Sequence, residues 1–77
     1  LLNHLDRHEE ALDAYDHALR LSPTDTETLV NRGITLDTLD RSDEAVDDLR
    51  RALAMDPLNV DALFNLGIAL EKLERHD

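Results

Sequence analysis

The chain has no cysteine and no tryptophan, and its 77 residues include only two glycines, two prolines and two aromatics, Tyr15 and Phe64. Without cysteine there is neither a disulfide framework nor thiolate chemistry, and that absence assigns no compartment. No Gly-rich phosphate loop, nucleophile motif or closed metal-ligand pattern appears, so no cofactor and no catalytic residue are expected. No apolar run approaches the roughly 20 residues that span a bilayer, and no signal peptide is visible, so this segment is not predicted to insert in a membrane. Positive charge is scarce as well: 8 Lys and Arg face 18 Asp and Glu, for a formal net charge of −10. Such a surface repels phosphate backbones and anionic membranes, which argues against nucleic acid and favours basic or neutral partners.

What is present argues for a folded helical protein. Hydrophobic residues make up 42% of the sequence, too many for a disordered acidic tail. Twelve of the acids are aspartate, and seven of the eight basic residues are arginine, Lys72 being the exception. Adaptation to high salt and compositional drift in a GC-rich genome both produce that texture, and the sequence leaves the two open.

The strongest signal is internal. Shifted by 34 residues, the chain matches itself at 18 of 43 aligned positions, against roughly four or five expected by chance. Ala11, Ala18, Leu19 and Pro23 meet Ala45, Ala52, Leu53 and Pro57. Leu29, Asn31, Gly33, Ile34, Leu36, Leu39 and Arg41 meet Leu63, Asn65, Gly67, Ile68, Leu70, Leu73 and Arg75. A repeated supersecondary unit means a stacked array, in which function belongs to a surface. The chain holds little more than two periods, whereas arrays generally need about three for stability, and it starts at Leu1 rather than Met. It therefore reads as a piece of a longer array: a partial unit over 1–25, a complete one over 26–59 and a partial one over 60–77.

Within each period the apolar residues recur at helical spacing and turn signals separate them. Leu2 and Leu5 belong to the tail of one helix. A turn follows, and Glu9 to about Leu21 forms the next helix, ended by Ser22 and Pro23. Thr24 stands three residues before Glu27, the spacing of a capping box for a helix running to about Leu39. Ser42 is placed to cap the following helix, which ends near Met55 before Pro57. Asn59 opens the last, with Leu63, Leu66, Leu70 and Leu73 expected inward. Gly33 and Gly67 fall mid-helix, where glycine costs about 1 kcal/mol relative to alanine. Close approach of the following helix, with Ala45 opposite Gly33, would offset that cost. Ala18 and Ala52 would serve the same purpose between units.

These residues resemble the tetratricopeptide repeat, whose 34-residue unit carries the pattern W-x2-L-G-x2-Y, then A-x3-F, then A and P. Residues 26–59 supply Leu29, Arg32, Gly33, Leu36, Ala45, Leu49, Ala52 and Pro57 in that order. Leucine replaces several of the family's aromatics, Arg32 replaces a leucine, and Asp6, Asp40 and Glu74 stand where the family often has glycine. The resemblance implies an all-α fold of antiparallel helix-turn-helix repeats stacked in a right-handed superhelix, whose first helices line a concave groove for a peptide or a partner's helix. Helical geometry and the family pattern together place Glu27, Val30, Asn31, Ile34, Asp37 and Thr38 on that groove, continued by Asp61, Phe64, Asn65, Ile68, Glu71 and Lys72. Asn31 and Asn65 repeat one unit apart, and an amide both donates to and accepts from a peptide backbone. The same asparagines would equally serve hydrogen bonds within the array. One family subtype clamps the terminal carboxylate of heat-shock chaperones with basic residues; Asp61 and Asn65 stand at those positions, so a carboxylate would be repelled.

Other constellations are weaker. His4 and His8 are four apart, but the turn expected between them breaks the geometry of a two-histidine metal site. Asp47 and Asp48 read as a solvated helix face, with Arg50 and Arg51 as their surface ion-pair partners. The sequence thus predicts a non-enzymatic interaction module that binds a protein or peptide. Its alternatives are a self-associating spacer, favoured by the open array ends, and a substrate-presenting segment of a larger enzyme.

Overall fold

The computed structural model describes residues 4–75, with side chains described from Arg7 onward. It consists of four helices, α1 (His4–Leu21), α2 (Thr26–Thr38), α3 (Ser42–Met55) and α4 (Val60–Arg75), and no strand occurs among the described residues. Helices adjacent in sequence pack antiparallel. Along α2 and α3, Asp37 meets Ser42 at one end while Leu29 clusters with Leu49 and Ala52 at the other. Leu12 and Leu36 cluster between α1 and α2, as do Val46 and Ala69 between α3 and α4. α2 and α4, one period apart, run alongside in the same sense, with Lys72 of α4 reaching Asp37 of α2. The result is a two-layered all-α repeat array with extents of 39 × 36 × 17 Å.

Two apolar clusters hold the array. Leu12, Leu36, Ala45, Val46 and Ala69 form one, and Leu29, Val30, Leu49, Ala52 and Ala62 the other; Leu66 packs against both. Leu29, Leu36 and Leu49 are the largest fully buried side chains, each contributing about 1.5–3 kcal/mol by burial. Gly33 is buried against α3. A Cβ there would lie 2.8 Å from the Leu49 Cγ and 3.5 Å from the Ala45 carbonyl oxygen. Close approach by α3 thus accounts for the glycine, as the sequence suggested, and the atom that demands it belongs to Leu49 more than to Ala45.

The turns repeat with the sequence. Ser22 N–H donates to Ala18 and Asp25 N–H to Ser22; one period later Asp56 donates to Ala52 and Asn59 to Asp56. Asn59 Oδ1 caps α4 by accepting from Ala62 N at 2.9 Å. At the equivalent place α2 is capped by Asp25, which accepts from Thr28 N at 3.4 Å, and not by the Thr24–Glu27 capping box. Ser42 likewise does not cap α3; its hydroxyl donates instead to Asp37 Oδ1 at 2.7 Å. Between α2 and α3 the chain closes a Schellman turn, with Arg41 N–H donating to Leu36 O at 2.8 Å and Asp40 N–H to Asp37 O at 3.0 Å. Asp40 takes φ 62°, the left-handed conformation that favours glycine and that aspartate tolerates better than most residues.

The expected turn between His4 and His8 is absent, because α1 runs unbroken through Asp6. At Asp40 the left-handed turn is offset by α3 folding back onto α2. Asp6 continues in helical conformation and avoids that cost, as does Glu74 in α4. Leu1 and Leu2, with the side chains of His4 and Leu5, lie outside the described residues. Along α4 the inward set is Ala62 and Ala69, with Leu66 half-buried. Leu63, Leu70 and Leu73 are exposed instead, because no described element covers their side of the helix.

Candidate protein-binding face

The expected groove residues all lie on α2 and α4, which run side by side, but they differ in availability. At the N-terminal halves of the two helices an open recess of about 380 Å³ is lined by Thr26, Glu27, Val30, Asn31, Asp56, Asn59 and Asp61. Its lining carries three carboxylates and no basic side chain. Glu27, Asn31 and Asp61 are exposed, so their polar groups face solvent; Val30 is buried and belongs to the core beneath. Farther along, Ile34 and Ile68 are about one-third exposed and Phe64 is 69% exposed, an apolar step beside the acidic recess.

The other end of the face is closed by the protein's own contacts. Asp37 is buried, accepts from Ser42, and lies 3.4 Å from Lys72 Nζ, which also donates to the Asp37 carbonyl at 3.1 Å. This cluster joins α2, α3 and α4, so Asp37 and Lys72 fasten helices together. Thr38 and Glu71 are exposed, with Thr38 Oγ1 donating to the Ile34 carbonyl at 2.9 Å and Glu71 lying 3.3 Å from Arg75. Asn65 Nδ2 donates to the Asp61 carbonyl at 2.8 Å within α4, which leaves its oxygen as the free polar atom.

A second polar cluster was not anticipated. Arg32 Nε donates to Asp16 Oδ1 at 2.8 Å and an Arg32 guanidinium nitrogen donates to Asp48 Oδ2 at 2.7 Å, tying α1, α2 and α3. Asp48 is 2% exposed and therefore no part of a solvated face; Asp47 is exposed, and Arg51 approaches Asp48 only to 4.0 Å. Burial raises the Asp48 carboxyl above its ordinary value of 3.8, outweighing the bond to Arg32 that lowers it. Burial by itself would lower Arg32, but the bond and charge of Asp48, with those of Asp16, leave it raised. Both directions hold together: Arg32 is partly exposed and serves two carboxylates, whereas nearly inaccessible Asp48 has one close cation. The signal lay in breaks of the repeat, since Arg32 aligns with Leu66 and Asp48 with Ala14. Thr26, Asp56 and Asn59 were also missed as recess residues, because they lie in or beside the turns and read as helix-end residues.

The parallel lie of α2 and α4, the Gly33 contact and the recurring turns agree with comparison to known families. A tetratricopeptide repeat model matches residues 30–77, more than half of the chain, and a second matches residues 1–25. The chain belongs to the tetratricopeptide repeat family. Tetratricopeptide repeats are generally non-enzymatic modules and commonly mediate protein–protein interaction. A comparison with curated proteins finds no match. Among the described residues, no helix of this repeat array is long and apolar enough to cross a membrane.

Proposed function

We propose that the face formed by α2 and α4 binds a basic or neutral peptide, or a basic partner helix, as a non-enzymatic scaffold in which residues 26–59 form the complete unit. The observation that carries this reading is the recess whose lining holds Glu27, Asp56 and Asp61 without a basic side chain. Carboxylates gathered in a concavity attract a cationic side chain and repel an anionic one. Beside them, Asn31 offers an exposed amide to a ligand backbone and Asn65 an acceptor oxygen. Phe64, with Ile34 and Ile68, supplies apolar area for the ligand's other side chains.

Titration of matched basic and acidic peptides at low and high ionic strength tests the proposal. Basic peptides should bind more tightly, and salt should weaken them as screening shortens the range of the recess field to about 10 Å at 0.1 M. Glu27→Lys combined with Asp61→Lys should remove the preference without unfolding the chain, because both side chains are exposed. Equal binding of acidic peptides, or indifference to this double reversal, would sink the reading.

A further inference from the structure

Between the turn that joins α1 to α2 and the last turns of α3 lies a second, smaller cavity of about 190 Å³, lined by Pro23, Thr24, Leu29, Arg51, Ala54 and Met55. It shares no residue with the acidic recess, and its chemistry is the reverse. Leu29, 1% exposed, is the floor; the other five side chains are exposed around it. Pro23, Ala54 and Met55 make the walls apolar as well, and the single charged group among the six is a cation, Arg51. The 34-residue period does not dictate this combination, because Thr24, Arg51 and Ala54 align with Leu58, His17 and Arg20. We propose that this cavity holds one aliphatic side chain of a partner protein's segment, with an adjoining acidic side chain of that segment paired to Arg51.

Volume and charge select that occupant. Pockets for whole small molecules commonly run to about 300–1,000 Å³, so this cavity is of a size for one side chain. An apolar anchor seated in such a pocket carries a large share of an interface's energy, and the flexible thioether of Met55 adapts to its shape. Arg51 has donors to give. It approaches Asp48 Oδ1 only to 4.0 Å, while Asp48 already accepts from Arg32 at 2.7 Å. The acids beside the cavity in sequence are engaged elsewhere: Asp25 accepts from Thr28 N, and Asp56 lines the recess. A guanidinium in that position pairs with a carboxylate through its planar fork.

The chain's formal charge of −10 opposes a strongly acidic segment, so the fit is a single carboxylate in an otherwise neutral stretch. Thr24 adds an exposed hydroxyl that can donate to or accept from the segment's backbone. This preference runs opposite to that of the recess, so the two proposals fail separately.

NMR titration of the chain with short end-blocked peptides, neutral apart from a central Leu-Glu pair, tests the proposal. Signals of Thr24, Arg51, Ala54 and Met55 should shift. Serine in place of the leucine should weaken binding by about tenfold, the scale of losing an anchor. Glutamine in place of the glutamate should weaken it by about threefold, because Arg51 is 57% exposed and its pair is screened. Arg51→Glu should shift the preference to a Leu-Lys peptide. Ala54→Phe should close the cavity and abolish binding with helicity intact, since Ala54 is exposed. Glu27→Lys combined with Asp61→Lys, which disables the recess, should not weaken the Leu-Glu peptide. Shifts that map to the recess, no shifts at millimolar peptide, or an unchanged preference in Arg51→Glu would overturn the proposal. Self-association of the chain that Ala54→Phe abolishes would assign the cavity to a second copy and overturn it too.

Discussion

α2 and α4 present the same residues one period apart in opposite circumstances. Leu29 is 1% exposed and Leu63 51%; Leu36 is 0% and Leu70 37%; Gly33 is pressed against Leu49 while Gly67 has open space. The backbone is helical in both, and the apolar stripe is equally legible in both. The difference is the neighbour: α3 covers this stripe of α2, and no described helix covers the matching stripe of α4. A stripe in a repeat states what a face can bury, and the adjoining element decides whether it does.

The largest expected effect comes from truncating the same leucine in the two settings. Leu29→Ala should destabilise the chain by about 3 kcal/mol, since it empties a fully buried site between helices. Leu63→Ala should cost less than about 1 kcal/mol at concentrations where the chain is monomeric. Urea denaturation of both variants decides, and equal losses would break the comparison.

Next in size is the polar tie that only the inner unit has. Arg32→Leu gives α2 the residue that α4 carries at Leu66, but strands Asp48 at 2% exposure, for a loss of about 2–3 kcal/mol. Adding Asp48→Ala, the residue that α1 carries at Ala14, should restore most of that loss. Failure of the double variant to recover would show that Arg32 acts through more than its bond to Asp48.

The glycines should respond with opposite signs. Gly33→Ala forces a Cβ to 2.8 Å from the Leu49 Cγ of a fully buried side chain, so it should destabilise by about 1–2 kcal/mol despite its better helix propensity. Gly67→Ala meets nothing and should stabilise by about 0.8–1 kcal/mol. Thermal unfolding of the pair measures this, and a shared sign would remove close approach as the reason for Gly33.

The smallest effect is a pH dependence confined to the inner unit. Asp48 binds its proton more tightly in the folded chain than in the unfolded one. Its contribution to stability is therefore greatest at or below pH 3.8 and declines as pH rises to the folded value. The stability difference between the parent chain and Asp48→Asn should fall across that window. A difference that rises instead would mean that the bond to Arg32 outweighs burial.

Much of the fold was written in the sequence. The 34-residue period, the small residues at Gly33, Ala45 and Ala52, and the prolines after α1 and α3 together specified antiparallel helices in a repeat array, because helix periodicity and backbone approach are local demands. Glu27, Asn31 and Asp61, which line one recess, were also legible from their positions along α2 and α4. Exact caps were not: Asp25 and Ser42 compete for several partners, and their choice depends on where neighbouring helices place donors and acceptors.

Only the tertiary structure decided which charges were free. Asp37 and Lys72 looked like ligand groups and instead bind each other with Ser42; Asp48 looked solvated and is buried against Arg32. It also decided where a turn forms, since Asp40 adopts the left-handed conformation while helix continues through Asp6 and Glu74. Sequence fixes a residue's periodicity and chemistry along one helix. Burial, pairing and the offset of a strained turn come from a second helix, and that neighbour is a property of three dimensions.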